Sequence, residues 1–455
     1  MPILPIDTMR YGTKEMREIF EEESKLKRML DVEAALAWAH AKVGNVPQKD
    51  AEIIMKKAST RYVKLKRVKA IEREIKHDVA SIVRALAEQC GSSGAYVHLG
   101  ATSYDIVDTA NALLLKDAVK LIEQKLDSLE QILMKKASKF KRTIMIGRTH
   151  GQHALPTTLG FKFAVWMREN ARNIQRLGQC RERLLVGKMT GAVGTQAGLG
   201  RHAMEIQKLF MKKLGIKHAD ISTQIVQRDR HGEFICLLAL IASSLDNIAT
   251  EIRELQRPEI AELFEAFEYE KQVGSSAMSH KRNPEKCETV CGLAKVLRGL
   301  VSPSLENVVT WHERDLTQSS AERFVIPEAC ILVDHMLFLI INVLDNLRVD
   351  KERMRRNLKI TQGRAMSEAV MMALVEKGMN RQEAHELLRK LTIKSELESR
   401  HFKEALAESG KIRKFLTETE ISDALNPQKY LGTAIEQVEL VIKKTQKRRK
   451  ARART

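Results

Sequence analysis

Two segments constrain this chain more than any others: "EFICLLALIASSLDNIATEIREL" at 233–255 and "PEACILVDHMLFLIINVLDNL" at 327–347. Each has helical length and is apolar on most faces. A helix of that kind is stable only when other helices surround it, which points to the interior of a bundle. Further long patterns flank them. Residues 61–88 put Val68, Ile71, Ile75, Val79, Ile82 and Leu86 on one helical stripe. Long helices are expected over 108–139, 158–186, 233–257, 284–300 and 327–348. No strand alternation long enough for a main sheet is present, and no internal repeat. The fold class is therefore all-α. Beyond Val349 the pattern changes to shorter, more polar helices. The expected layout is an N-terminal helical domain at 1–107, a central long-helix bundle at 108–349, a C-terminal helical domain at 350–442 and a basic tail at 443–455.

The tail, "KKTQKRRKARART", carries eight Lys or Arg and no acid, and is expected to be disordered. It supplies less than half of the formal net charge of +19, so the remaining body is basic as well. A basic body suits phosphates and carboxylates, and also nucleic acid. The six cysteines are scattered without a paired framework, which fits reduced thiols in the cytoplasm. Cys287 and Cys291 stand four apart, and two ligands alone make a poor zinc site, so they are read as packing residues. "MPILPIDTMRYG" shows no signal peptide. The greasiest stretch, "CILVDHMLFLIINVL", contains Asp334 and His335 and is too short to span a bilayer. A soluble protein with no membrane association is expected.

Six polar clusters interrupt the helices. "GSSAMSHKRNP" (274–284) crowds Ser275, Ser276, His280, Lys281 and Arg282 ahead of a helix start, with Asn283 as N-cap and Pro284 at the first helical position. Cations beside free helix N–H groups make an anion-binding corner; a solvated basic turn fits equally well. "GRTHGQHALPTT" sets His150 and His153 among glycines. No HExxH pattern or cysteine accompanies them, so an acid–base histidine fits better than a metal ligand, with a hydrogen-bonded bundle histidine as the plain alternative. In "IKHDVAS", His77 turns about 200° away from the apolar stripe. It faces either solvent or a second surface such as another subunit. "VHLGATSYDIVDTAN" places Thr102 and Ser103 at a helix start, with Asp105 or Asp108 as N-cap. "STQIVQRDRHGEF" mixes Gln224, Arg228, Asp229, Arg230 and His231, as a salt-bridged helix start would. In "WHERDLTQSSAERFVIPEA", Arg314 and Arg323 flank Ser319 and Ser320, a pattern suited to carboxylate or phosphate but also to structural pairing. "GKMTGAVGT" lacks Walker spacing and reads as a turn between helices.

Taken together, these motifs resemble a known family. "GSSAMSHKRNP" is similar to the signature loop GSSxMPxKxNP of the fumarase/aspartase superfamily. The other five motifs resemble those of its adenylosuccinate lyase family, from "MRYG" near the start to "LNPQKYLGTA" near the end. Ser279 departs from the signature, which has proline there. Proline restricts its own φ and its predecessor, so serine is expected to loosen the loop.

The resemblance implies a three-domain fumarase/aspartase-like fold whose central bundle is shared in a homotetramer, with each active site built from three subunits. It implies β-elimination of fumarate from adenylosuccinate and from the succinyl-aminoimidazole-carboxamide ribotide of purine biosynthesis. By similarity, Ser275 is the general base and His150 the general acid, with His77, Lys281 and Glu288 in support and Ser276 a weaker candidate base. The positions matching substrate contacts are Arg10, Tyr11, Lys76, His77, Asp78, His98, Thr102, Ser103, Gln224, Ser276, Lys281, Arg282, Asn283, Arg314, Ser319, Ser320 and Arg323, with His98 at a phosphate site. No metal and no cofactor is implied, and the partners are small anionic nucleotides. The alternatives are another superfamily enzyme, argininosuccinate lyase or carboxymuconate cycloisomerase, and a helical nucleic-acid-binding protein using the basic tail. The "KHD" and "SSAER" pieces favour the first reading, and nucleic acid is unlikely as a partner.

Overall fold

The computed structural model describes residues 4–268 and 270–452. Five helices, α1 (Lys14–Phe20), α2 (Glu22–Lys42), α3 (Gln48–Lys57), α4 (Leu65–Ile75) and α5 (Asp78–Cys90), precede the 38-residue α6 (Ser103–Phe140). A hairpin of β1 (Ile144–Thr149) and β2 (Gln152–Thr158) leads into α7 (Leu159–Leu184). Then come β3 (Val186–Gly187), α8 (Ala203–Leu214), β4 (Lys217–His218), α9 (Asp229–Gln256), β5 (Leu263–Phe264), α10 (Glu285–Gly299), α11 (Val301–Glu306), α12 (Thr317–Asp345) and β6 (Arg348–Val349). Shorter helices close the chain: α13 (Lys351–Lys359), α14 (Ser367–Glu376), α15 (Arg381–Leu397), α16 (Phe402–Glu408), α17 (Gly410–Arg413), α18 (Glu418–Ala424) and the longer α19 (Ala434–Arg452). Among the described residues the strands form only two-stranded ladders: β1–β2 and β5–β6 antiparallel, β3–β4 parallel. The fold is all-α.

The chain divides into two compact units. One comprises Met1–Asp127, Arg172–Asp246 and Thr289–Leu339; the other comprises Ser128–Ala171, Asn247–Glu288 and Ile340–Thr455. In the first, α2 separates two cores. Leu30 packs in one with Ile54, Ile71 and Leu86, and Leu36 packs in the other with Ile106 and Phe210. In the second, Val370, Leu374, Leu388, Phe402 and Ile421 form a core. Burial of each such side chain contributes about 1.5–3 kcal/mol.

Polar ties set the register of the long helices. In the first unit, Lys125 of α6 pairs at 2.6 Å with Asp334 of α12, whose side chain is fully buried. Asn173 of α7 donates to Ser244 of α9 at 3.0 Å, and Arg298 of α10 bonds Asp246 of α9 at 3.1 Å. In the second, Lys162 of α7 meets Glu251 of α9 at 2.6 Å and Lys286 of α10 donates to Asn342 of α12 at 2.7 Å. Sliding either helix of a tie would leave a polar group without its partner.

Several elements differ from the sequence expectation. The single helix over 61–88 breaks in two, because Lys76 takes a left-handed conformation (φ 56°, ψ 34°) that ends α4 and the His77 side chain caps α5. α12 begins at Thr317, well before Pro327, and runs through that proline. Pro327 has no N–H, so the Arg323 carbonyl lacks its helical donor. Neither Asp105 nor Asp108 caps α6. Asp105 lies in its first turn and accepts the Thr102 N–H at 2.8 Å, while Asp108 bonds Arg228. The greasy segment belongs to a 29-residue helix, long and apolar enough by itself to cross a membrane, as is the 28-residue α9; in each, 61% of the apolar window is buried inside the protein.

The tail is also corrected. α19 continues through it to Arg452, and residues 453–455 lie outside the described residues. The cause is Glu130 of α6, whose side chain is fully buried and pairs with Arg448 and Arg449, while Thr445 packs inside. A buried carboxylate requires a counter-charge. Truncation before Lys443 strands Glu130 and is expected to lower unfolding stability by about 3–5 kcal/mol. An unchanged denaturation midpoint for the truncated protein would refute this.

Candidate active site

The first unit contains a cavity of about 510 Å³. The break between α4 and α5 supplies Lys76, His77 and Asp78; the start of α6 supplies Ser103 and Tyr104; the approach to α12 and its first turns supply Arg314, Ser319, Ser320, Glu322 and Arg323. Eight expected contact residues, scattered over some 250 positions of sequence, thus line one space. His77 accepts the Ala80 N–H through Nδ1 at 3.3 Å, which leaves Nε2 as the ring nitrogen for another partner. Asp78 pairs with Arg323 at 2.8 Å. Lys25, also in the wall, has its pKa lowered by burial and by the Arg323 charge. A wall where cations crowd each other attracts an anion.

One buried guanidinium holds that wall together. Arg228 forms two parallel bonds to Asp108 of α6, at 2.9 and 3.0 Å, and reaches Glu322 of α12 at 3.2 Å. Burial alone would disfavour its charge, but the two carboxylates raise its pKa. Burial would likewise raise the Glu322 pKa, but His231 at 3.2 Å and Arg228 together lower it. Arg314 lies 3.7 Å over the Tyr104 ring and donates to Gln224 at 2.8 Å.

Other expected contacts of the first unit sit outside the cavity lining. Gln224 acts on Arg314 and donates to the Ala192 carbonyl at 2.9 Å. Thr102 is tied to Asp105, which is buried with Lys188 and also accepts the Thr190 N–H at 2.8 Å. His98 bonds Glu33. Arg10 and Tyr11 lie before α1, with the Tyr11 ring 5.6 Å from that of His335.

The second unit carries the loop and the histidine hairpin. Ser275 Oγ accepts the N–H groups of Met278 at 3.0 Å and Ala277 at 3.3 Å. Gly274 is required there, since a Cβ would stand 2.0 Å from the Lys281 carbonyl oxygen. Asn283 is not the N-cap. Its side chain donates to the Gly274 carbonyl at 3.0 Å, and the first turn of α10 instead gives its Cys287 and Lys286 N–H groups to Glu265, at 2.7 and 3.2 Å. The carboxylate fills the corner where the sequence suggested an anion site. Lys281, Arg282, Asn283 and Glu288 line a cavity of about 750 Å³ with Arg253, Arg257 and Arg348, and Ser276 is exposed. His150 occupies the tip of the β1–β2 hairpin. It and Gly151 form a two-residue turn, both at positive φ (54° and 74°), which exposes the ring. His153 is half-buried, and burial followed by the Arg148 charge lowers its pKa.

The chain matches a family model described as "Lyase" over residues 9–299 and one described as "Adenylosuccinate lyase C-terminus" over 363–441. It is 54% identical over 442 residues to the adenylosuccinate lyase of Pyrococcus horikoshii, covering 97% of this chain and 98% of the relative. The chain belongs to the adenylosuccinate lyase family. The Methanocaldococcus jannaschii adenylosuccinate lyase is 50% identical, with 97% and 96% covered. Among solved structures, the 3-carboxy-cis,cis-muconate lactonizing enzyme of Pseudomonas putida superposes with a TM-score of 0.89 at 34% identity, with 98% and 99% covered. That enzyme shares the fold at lower identity, and the C-terminal model places this chain with the adenylosuccinate lyases.

Sequence reasoning missed Lys25, Tyr104 and Glu322 in the cavity wall and Glu265 at α10. Tyr104 and Glu322 lie inside motifs that were singled out, so adjacency was an available signal. Lys25 and Glu265 act only through tertiary contact and left none.

Ser279 is the second residue of a turn closed by Lys281 N–H to Met278 O at 3.0 Å, a position that suits proline. Ser279→Pro is expected to stabilise the loop by about 0.4–1 kcal/mol. The measurement is native-state proteolysis between 275 and 283, which slows while turnover persists; equal cleavage rates would refute it.

Proposed function

We propose that this chain splits adenylosuccinate into AMP and fumarate, and the succinyl-aminoimidazole-carboxamide ribotide into the free carboxamide ribotide and fumarate. The observation that carries this reading is the first unit's cavity, whose serines, His77 and most of whose cations come together from three separated sequence motifs. Such a lining suits a nucleotide bearing both phosphate and carboxylates.

In the reaction, a proton leaves the carbon beside a carboxylate and a nitrogen is expelled from the adjacent carbon. Ser275 takes the proton. A serine hydroxyl is a weak base, and the two backbone N–H groups aimed at its Oγ favour the ionised form, as does the Lys281 cation on the same loop. Lys281 also meets the charge that builds on the substrate carboxylate. His150, exposed on its rigid turn, protonates the departing nitrogen, and Glu288 supports that proton transfer. His77 presents Nε2 to the phosphate or leaving group. Arg10, Tyr11, Lys76, Asp78, His98, Thr102, Ser103, Gln224, Ser276, Arg282, Asn283, Arg314, Ser319, Ser320 and Arg323 bind the remaining substrate groups. The scheme uses no metal or organic cofactor.

The working form is a cytoplasmic homotetramer in which three subunits complete each site, built on the three-part layout 1–107, 108–349 and 350–442. Exposed apolar side chains on the long helices, Val165, Leu240, Val296 and Phe338, support such an assembly.

The test is fumarate release by the purified tetramer. Ser275→Ala and His150→Gln are each expected to lower kcat by about 10²–10⁴. Near-normal release by either variant removes its assigned role, and turnover of argininosuccinate without adenylosuccinate would overturn the substrate assignment.

A further inference from the structure

One ion pair outside the lining of either cavity, felt by Asp105 two residues from the cavity's Ser103, is built in a way that stability alone does not explain. Glu33 lies in the middle of α2 and is 1% exposed. Its Oε1 is 2.7 Å from His98 Nδ1, while Oε2 is buried with no hydrogen-bond partner among the described residues. A buried carboxylate with half its acceptor capacity unmet is costly, and an apolar side chain would avoid that cost.

His98 is also held unusually. Its φ is +64°, in the left-handed region, which a residue other than glycine adopts at a cost. The loop after it is fixed on two sides. His40 Nε2 lies 2.9 Å from the Leu99 carbonyl, and a Cβ on Gly100 would stand 2.6 Å from the Gly198 carbonyl. The backbone therefore delivers the ring to one place. With Nδ1 committed to Glu33, Nε2 is left for another partner, and the side chain is one-fifth exposed. The charged groups around the ring are Glu33 from α2, Asp105 from α6 and Lys188, which is buried against Asp105. Burial favours the neutral ring. The hydrogen bond and charge of Glu33, with the charge of Asp105, outweigh it and raise the His98 pKa.

We propose that Glu33 is a positioning residue for substrate binding: it aims the His98 ring through Nδ1 and supplies the counter-charge for the protonated form, so that Nε2–H meets the substrate phosphate as a charge-assisted donor. This rests on the reading of His98 as a phosphate contact. The sign follows from the raised pKa. The cation, and the affinity it adds, is present at low pH and is lost as pH rises through the pKa of the folded protein. A counter-charge at Glu33 carries that affinity to higher pH.

The experiment measures KM and kcat for adenylosuccinate between about pH 6.5 and 9, with the dissociation constant of AMP by calorimetry, on wild type, Glu33→Gln, Glu33→Asp and His98→Gln. Glu33→Gln is expected to raise KM and weaken AMP binding about tenfold near pH 7.5, with kcat nearly unchanged. Its rise of KM with pH should begin at lower pH than in wild type. Glu33→Asp keeps the charge and should hold the pH profile closer to wild type; it carries the test if the glutamine variant does not fold. His98→Gln should weaken binding and remove the pH dependence. If His98→Gln weakens binding but both Glu33 variants keep the wild-type KM and pH profile, the role of Glu33 is overturned. A loss confined to kcat in Glu33→Gln overturns it as well. If His98→Gln leaves KM and AMP affinity unchanged, the phosphate reading of His98 fails, and the proposal with it.

Discussion

The geometry of the first unit's cavity depends on one buried guanidinium. Arg228 binds Asp108, five residues after Ser103, and Glu322, which lies between Ser320 and Arg323. Two walls that belong to α6 and α12 are thereby set against a single planar group. Its fork geometry permits little sliding, unlike an ammonium on a flexible stem. Such a clamp is a poor device for raw stability, because three charges must be taken out of water. Its gain is placement: the serines and Arg323 on one wall keep a constant distance from the turn on the other.

Fold class was readable because helix period and apolar width survive without knowledge of neighbours. The long apolar segments at 233–255 and 327–347 became α9 and α12. Boundaries were less readable. The stripe over 61–88 continues across Lys76, yet the backbone breaks there, since nothing in side-chain periodicity records a left-handed residue. The basic tail looked disordered by composition, and only Glu130, some 300 positions away, makes its helix worth ordering.

The candidate site was legible as motifs, and the cavity gathers most of the first unit's share. What composition and spacing missed was the set of carboxylates behind the cations. Glu265 takes the α10 N–H groups, Glu33 takes His98, and Asp105 takes Lys188. Each is far in sequence from its partner, so local reading saw at the α10 start an anion corner or a solvated basic turn, without the carboxylate that fills it. With those carboxylates counted, Lys281 and Arg282, rather than the α10 helix end, are the positive groups the loop offers.

The contact between Gly274 and Lys281 has a further consequence. The glycine backbone presses on the Lys281 carbonyl, and the Asn283 amide closes the same circle from the other end. Residues 274–283 therefore form a ring fastened to itself more than a strand hung between two posts. When such a ring swings, its parts keep their mutual spacing, and the bending falls on the residues outside it. Ser275 and Lys281 then travel as a fixed pair, and the serine in place of proline at 279 alters one link of the ring without unfastening it.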